Sequence, residues 1–377
     1  VKRRQSWRGR GMSVDWEALR REFPSLDGWT FLNSATYGQT PRCAYEAVQR
    51  HFARRTELAC NDFLSWFDDA DQVRRGIGRL IGCEEDDIAF IPTAGAALSL
   101  LLNGIDWQGG EQIVTLTNEF PNNLYGPALL EKQGVQFVEV PWDGFWEAAG
   151  RKETRLVAIS TVSYSTGFRP PVEEISRFCH DRGILLYVDG TQSVGALQMN
   201  VSEFQPAMMA VDAYKWMLTP NGAGFVYVSK ETREWLKPAN IGWRSHWDWR
   251  SVDNLHHGAP EFSQKAERYE GGMLPFPMLY ALGAVVDMML ELGADEIERR
   301  VLGLADEVRR ALRARGAEVS EGPSQIVTAR FADRDASELA RALKQERIQV
   351  SARQGRLRIS PHFYNNEAEL ERLAAAL

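Results

Sequence analysis

The chain has 377 residues, of which 44% are hydrophobic and 25% charged, with a formal net charge of -7. That length exceeds one compact domain and points to two, and the mildly acidic balance gives no support to nucleic-acid binding. No apolar segment is long enough for a signal-peptide core or a membrane span, so a cytoplasmic protein with no membrane partner is expected.

The chain opens on "VKRRQSWRGRGM". Residues 1–12 are expected to be a disordered extension, with Met12 the true start, rather than a basic arm for nucleic acid or membrane. Residues 13–29 carry a short helical pattern at 15–22 and are expected to pack with the smaller of two domains. From about residue 42 to 228, helical segments alternate with seven short apolar runs: "DIAFI" (87–91), "QIVTLT" (112–117), "VQFVEV" (135–140), "RLVAIS" (155–160), "ILLYVD" (184–189), "MMAVDA" (208–213) and "GFVYVS" (224–229). Helices are expected at 42–60, 95–103, 122–133 and 172–182. This alternation predicts an α/β fold with a mostly parallel seven-stranded sheet covered by helices on both faces. Only a turn joins the last two runs, which predicts an antiparallel pair.

Residues 241–257, "IGWRSHWDWRSVDNLHH", read either as part of a substrate pocket or as a packed connection. Adjacent His256 and His257 point different ways in an extended chain, so a paired metal site is not expected there. Long helices follow from Pro277 to Leu292 and over 294–315, then strands near 324–331 and 356–360. The expected division is a large domain over 30–260 and a small α+β domain over 261–377. Cys43, Cys60, Cys83 and Cys179 have no CxxC spacing and read as reduced packing residues, and no metal is expected.

Ligands of open α/β sheets bind beyond the carboxyl ends of the strands. Asp189 closes "ILLYVD", Lys215 follows "MMAVDA", Glu119 and Phe120 follow "QIVTLT", and Thr93, Ala94 and Gly95 follow "DIAFI" and open a helix. Taken singly, Lys215 reads as a snorkelling surface lysine and Phe120 as core. Taken together, a desolvated amine, a carboxylate and a helix N-terminus suit an aldehyde that carries a ring nitrogen and a phosphate, which is pyridoxal 5'-phosphate (PLP). A nucleotide-binding dehydrogenase on the same architecture would need G-x-G-x-x-G after its first strand, and none is present.

"VDGTQSVGAL" (188–197) followed by "YKWML…PNGAGFVY" resembles the class V aminotransferases, the PLP-dependent fold type I branch that includes cysteine desulfurases, kynureninase and isopenicillin N epimerase-like proteins. The similarity runs from "FLNSATYGQTP" (31–41) to "LRISPHFYNNEAELERL" (357–373). The resemblance implies that Lys215 holds the cofactor as a Schiff base, Asp189 pairs with the pyridine nitrogen, Gln192 reaches the ring hydroxyl and Phe120 stacks on the ring. It implies that Thr93, Ala94 and Gly95 form the phosphate cup, with Tyr214 donating to it. Arg358 is implied to bind the substrate α-carboxylate, with Tyr164, Asn33 and Ala35 at the substrate mouth. "RYEGGMLPFP" (268–277) resembles the segment that reaches the partner subunit's phosphate in a homodimer, and Met273 stands there where the family has threonine. The implied activity is that of an aminotransferase on an α-amino acid, with a C–S or selenocysteine lyase or an epimerase as alternatives. The loop "RIQVSARQGRLR" (347–358) contains no cysteine, so persulfide-forming desulfuration is not expected.

Overall fold

A computed structural model describes residues 14–377, so the expectations for residues 1–12 lie outside the described residues. All seven apolar runs are strands of one sheet: Ile88–Ile91, Gln112–Leu116, Gln136–Val140, Thr154–Ser160, Leu185–Asp189, Met208–Asp212 and Gly224–Val228. The first is followed across the sheet by the seventh, sixth, fifth and fourth, then by the second and third. Four of the strands are buried along their whole length between helical layers, which is why they read as continuous apolar runs rather than alternating ones. Gly224–Val228 runs antiparallel to both neighbours, as the short connection from Met208–Asp212 requires, and the remaining pairs are parallel.

The helices sit where turn chemistry allows. Arg42–Leu58 starts after Pro41, and Ala94–Gly104 starts after Thr93, whose side chain accepts from the Ala96 amide. The segment 122–133 is not one helix. It is a five-residue helix, Tyr125–Leu129, flanked by 3-10 turns at Pro121–Asn123 and Leu130–Gln133. Pro121 and Pro127 lack amide donors, and Gly126 favours the unfolded chain, so a long helix there would be incomplete. Helix Phe63–Ile81 buries Trp66, Phe67, Ala70, Val73, Ile77 and Ile81, each large side chain contributing roughly 1.5–3 kcal/mol.

Helix Phe276–Leu292 packs on both Arg42–Leu58 and Phe63–Ile81. It stops at Gly293, whose φ of 84° favours glycine, and Ala294–Ala314 departs at 85°. A second, antiparallel sheet follows, ordered Ser351–Arg353, Arg356–Ile359, Val327–Arg330, Glu318–Val319. Residues near the start of the chain are sewn to this part. Thr30–Phe31 pairs in parallel with Ile348–Gln349, and Arg20 pairs with Glu369 at 2.7 Å. No single helix among the described residues is long and apolar enough to cross a membrane.

The tryptophan-rich segment is a packed connection. Trp249 is buried against Phe67 with ring centres 4.7 Å apart, and the Arg244 guanidinium lies 4.4 Å from the Trp249 ring. Arg244 Nη1 also donates to Glu270 at 2.7 Å, and Arg74 donates to the same carboxylate. Burial alone would raise the Glu270 pKa, but the two guanidiniums hold it below the usual carboxylate value. His246 stacks on His256 at 4.1 Å, and no group of three metal-ligating side chains occurs among the described residues.

Candidate active site

Lys215 lies in the loop between strands Met208–Asp212 and Gly224–Val228, and its backbone is clamped from three distant segments. The Gly38 amide donates to the Tyr214 carbonyl at 2.9 Å, and a Cβ on Gly38 would stand 1.9 Å from the Lys215 carbonyl oxygen. A Cβ on Gly195 would stand 2.4 Å from the Trp216 carbonyl oxygen. His362 Nε2 faces that same oxygen at 2.9 Å and must donate to it, while its Nδ1 accepts from the Phe363 amide at 2.8 Å. Both nitrogens are thus committed to a neutral ring, and burial lowers the His362 pKa to about 3. The side chain of Lys215 is 7% exposed, with Nζ 5.2 Å from the centre of Phe120 and 5.6 Å from that of Tyr214. Desolvation lowers its pKa. Asp189 and Asp212 oppose that shift, and Arg358 and Arg353 reinforce it.

The neighbouring strand brings up the acid. Asp189 ends Leu185–Asp189, in register with Ala210, and one carboxylate oxygen accepts from the Thr191 amide at 2.9 Å. Phe120 is placed by Glu119, which is buried and accepts from the Ser160 amide at 2.7 Å and from Asn123 at 3.0 Å. Burial raises the Glu119 pKa, against those hydrogen bonds. Phe120 meets Tyr164 edge to face, with centres 5.2 Å apart. Tyr164 offers its carbonyl to Arg358 Nη1 at 2.6 Å. A continuous line of contact therefore runs from Lys215 through Phe120 and Tyr164 to Arg358.

Arg358 is 1% exposed. Its other partners are the Ser351 hydroxyl at 3.0 Å and the Thr36 hydroxyl, and no carboxylate among the described residues pairs with it. Burial and the Arg353 charge lower its pKa to about 9, which still leaves it cationic at neutral pH. Asn33 and Ala35 lie in the seam beside it. Asn33 accepts from Thr36 at 3.0 Å and bridges to Ser360, while the Ala35 carbonyl accepts from Gln192 Nε2 at 3.1 Å. Gln192 Oε1 in turn accepts from the Trp216 indole at 2.7 Å. Gln192 is thereby tied to the lysine loop, with one amide hydrogen left to offer a ligand.

The head of helix Ala94–Gly104 holds a surprise. Asp212 Oδ1 accepts from the Ala94 amide at 2.8 Å, and Thr191 Oγ1 accepts from the Asp212 amide at 3.0 Å. Burial first, then the Asp189 charge, pushes the Asp212 pKa up to about 6. Sequence reading passed over Asp212, which ends its strand within an apolar run that continues into Ala213. It also missed Thr36 and Ser351, ordinary loop and strand hydroxyls until the fold brings them to Arg358.

The donor set suits the cofactor expected from the sequence. An amine with a lowered pKa, a strand-end carboxylate, an aromatic ring and a helix N-terminus converge, which is what an aldehyde on a phosphorylated pyridine requires. The one discordant group is the Asp212 carboxylate at the helix N-terminus.

Residues 30–373 match the sequence profile of the family described as aminotransferase class-V. An uncharacterised aminotransferase of Bacillus subtilis, YcbU, is 26% identical over 94% of this chain and 95% of its own. Isopenicillin N epimerase of Streptomyces clavuligerus is 28% identical over 97% and 98%. Among solved structures, a lysine-to-alanine mutant of C-DES with glycine covalently linked to its PLP cofactor superposes with a TM-score of 0.86 at 21% identity, covering 94% of this chain and 98% of that one.

Proposed function

The chain belongs to the class-V aminotransferase family, and from that premise we propose that it is a PLP-dependent aminotransferase acting on an α-amino acid. The observation that carries the amino-acid reading is Arg358, a buried guanidinium with no carboxylate partner among the described residues. A desolvated cation is costly unless paired, and a planar guanidinium matches a substrate carboxylate with two parallel hydrogen bonds.

Lys215 would hold the cofactor covalently, Asp189 would keep its ring nitrogen protonated, and Phe120 would cover one face. Thr93, Ala94, Gly95 and Tyr214 would meet the phosphate, with Gln192 at the ring hydroxyl. The cofactor supplies an electron sink for the bond broken at the substrate Cα. Burial lowers the Lys215 pKa and so favours the neutral amine, the form that, once free, can accept the proton of that Cα and return it elsewhere. Arg358, seated on the Tyr164 carbonyl, would fix the carboxylate and hence which bond stands upright to the ring. Tyr164, Asn33 and Ala35 would bound the mouth. Exposed Ile241 and Met273 flank adjoining segments, tied by the Arg244 amide to the Gly271 carbonyl at 3.0 Å. They supply apolar surface for a homodimer, which sedimentation velocity of the loaded protein would measure.

Two experiments test the reading. Borohydride treatment after PLP loading, followed by peptide mass spectrometry, should mark Lys215, and Lys215→Ala should carry no label; an unchanged label in that variant rejects the assignment. With an L-amino acid and no acceptor, one equivalent of keto acid should form per protomer and the reaction should stop until a keto acid is added. Continuous release of ammonia and pyruvate would assign elimination instead, and inversion at Cα without keto acid would assign epimerisation.

A further inference from the structure

A carboxylate of the chain itself engages the helix N-terminus to which the reading above assigns the cofactor's phosphate. Helix Ala94–Gly104 points its N-terminus at the site, and its first amide, that of Ala94, is engaged by the Asp212 carboxylate at 2.8 Å. The helix contributes no charged side chain of its own, its sequence being "AGAALSLLLNG". The groups facing Asp212 are Asp189 and Tyr187 on one side, and Tyr214 and Lys215 from its own loop. The Tyr187 hydroxyl is spent on the Ala94 carbonyl at 3.1 Å. Lys215 is the amine to which the cofactor would bond. A phosphate arriving beside an ionised Asp212 would therefore meet a like charge, with no cation other than Lys215 among the described groups facing it, in a buried setting that weakens screening.

We propose that Asp212 receives the phosphate as the neutral acid, so that cofactor uptake is coupled to uptake of one proton. In this exchange the Ala94 N–H changes acceptor, from the Asp212 carboxylate to a phosphate oxygen. Asp212 takes a proton from solvent and donates that O–H to another phosphate oxygen. No bond other than hydrogen bonds is made or broken. The elevated pKa of the free site, about 6, means that the proton must be drawn from solution above that pH, and a bound phosphate raises the demand further. The site then releases its cofactor toward alkaline pH, by a route separate from the chemistry at Lys215. This rests on the PLP reading, since it concerns the phosphate of that cofactor.

The test uses pyridoxine 5'-phosphate, which lacks the aldehyde and so takes no part in bonding to Lys215. Its dissociation constant is measured by titration calorimetry from pH 5.5 to 8.5 on the full chain stripped of cofactor, in buffers of different ionisation enthalpy to count protons. Wild type and Asp212→Asn are compared, so that the phosphate's own ionisation near pH 6 enters both alike. Asp212→Ser, which keeps a donor, serves as a second variant should the first fold poorly. For wild type, the affinity is expected to fall more steeply with pH than for Asp212→Asn, the slopes differing by roughly tenfold per pH unit, one proton's worth. Unphosphorylated pyridoxine should show no such difference. Equal slopes in wild type and both variants, or weaker binding by the variants at pH 8, would overturn the proposal while leaving the PLP reading intact. If neither wild type nor variant binds the phosphate ester and borohydride traps nothing on Lys215, the PLP reading falls and this one with it.

Discussion

Arg358 holds its charge in a place where no carboxylate among the described residues neutralises it. A cation so buried strains the unliganded fold, and its persistence is best explained by a ligand that supplies the missing anion. Replacing it with methionine, of similar reach and no charge, should raise the melting temperature of the unliganded protein by a few degrees. The same change should lower kcat/KM for an amino acid by roughly 30- to 150-fold, the equivalent of about 2–3 kcal/mol of charge-assisted hydrogen bonding. Differential scanning fluorimetry and steady-state kinetics on Arg358→Met check both halves, and a variant that loses stability without losing kcat/KM would make Arg358 a structural strut. At this scale sequence reading worked unevenly, for a physical reason. Asp189 ends its strand and Lys215 lies in the loop just after one, where a polar residue breaks an apolar run and is visible. Asp212 ends its strand one residue before the run's last alanine, and what distinguishes it is a backbone amide more than a hundred residues away in the chain.

The element that matters most is the turn carrying Lys215. It owes its shape to partners outside itself: Gly38 and Gly195 approach too closely for any side chain, and the Leu218 amide returns to the Lys215 carbonyl at 3.2 Å. Leu218 adopts a φ of 55° while fully buried, a left-handed conformation that costs on the order of 1 kcal/mol or more for a branched side chain. Gly38→Ala should therefore destabilise the protein by about 1–3 kcal/mol through forced backbone movement, and should slow borohydride-trappable attachment at Lys215 more than Ala-for-Gly exchange at a surface turn such as Gly316. Urea denaturation and a time course of trapping measure the two effects. Whole strands were legible because burial on both faces demands unbroken apolar runs. The helix expected over 122–133 was not, because Pro127 and Gly126 act on the backbone while leaving the apolar pattern undisturbed.

Across the whole molecule, a neutral histidine ties the segment after the four-stranded sheet to the lysine loop of the seven-stranded one. His362 belongs to the segment leaving strand Arg356–Ile359, yet its ring donates to the carbonyl beside Lys215. Its pKa in the folded protein, about 3, lies below the ordinary value of 6.5. Between those values the unfolded chain binds a proton that the folded one refuses, so stability present above pH 6.5 is lost as pH falls toward 3. His362→Gln can keep the donor but has no such titration. Its denaturation midpoint should change less between pH 7 and pH 4.5 than that of the wild type, as read by urea titrations at each pH; parallel losses in both proteins would assign acid sensitivity to other groups. This docking was invisible in the sequence, where "PHFYN" is merely aromatic, since the carbonyl it serves lies near residue 216 and only the fold unites them.

The pairing of Thr30–Phe31 with Ile348–Gln349 also sets a timetable. Ribosomes add about 5–20 residues per second, so the early strand waits for its partner until nearly all of the chain between them has been made. Throughout that interval the large sheet can assemble and Gly38 can meet the lysine loop, but His362, which braces the carbonyl beside Lys215, has not yet been made. The nascent protein would thus pass through a stage with a nearly complete scaffold and an unfinished lysine turn. Cofactor capture then becomes an event of the last moments of synthesis, or of the time after release.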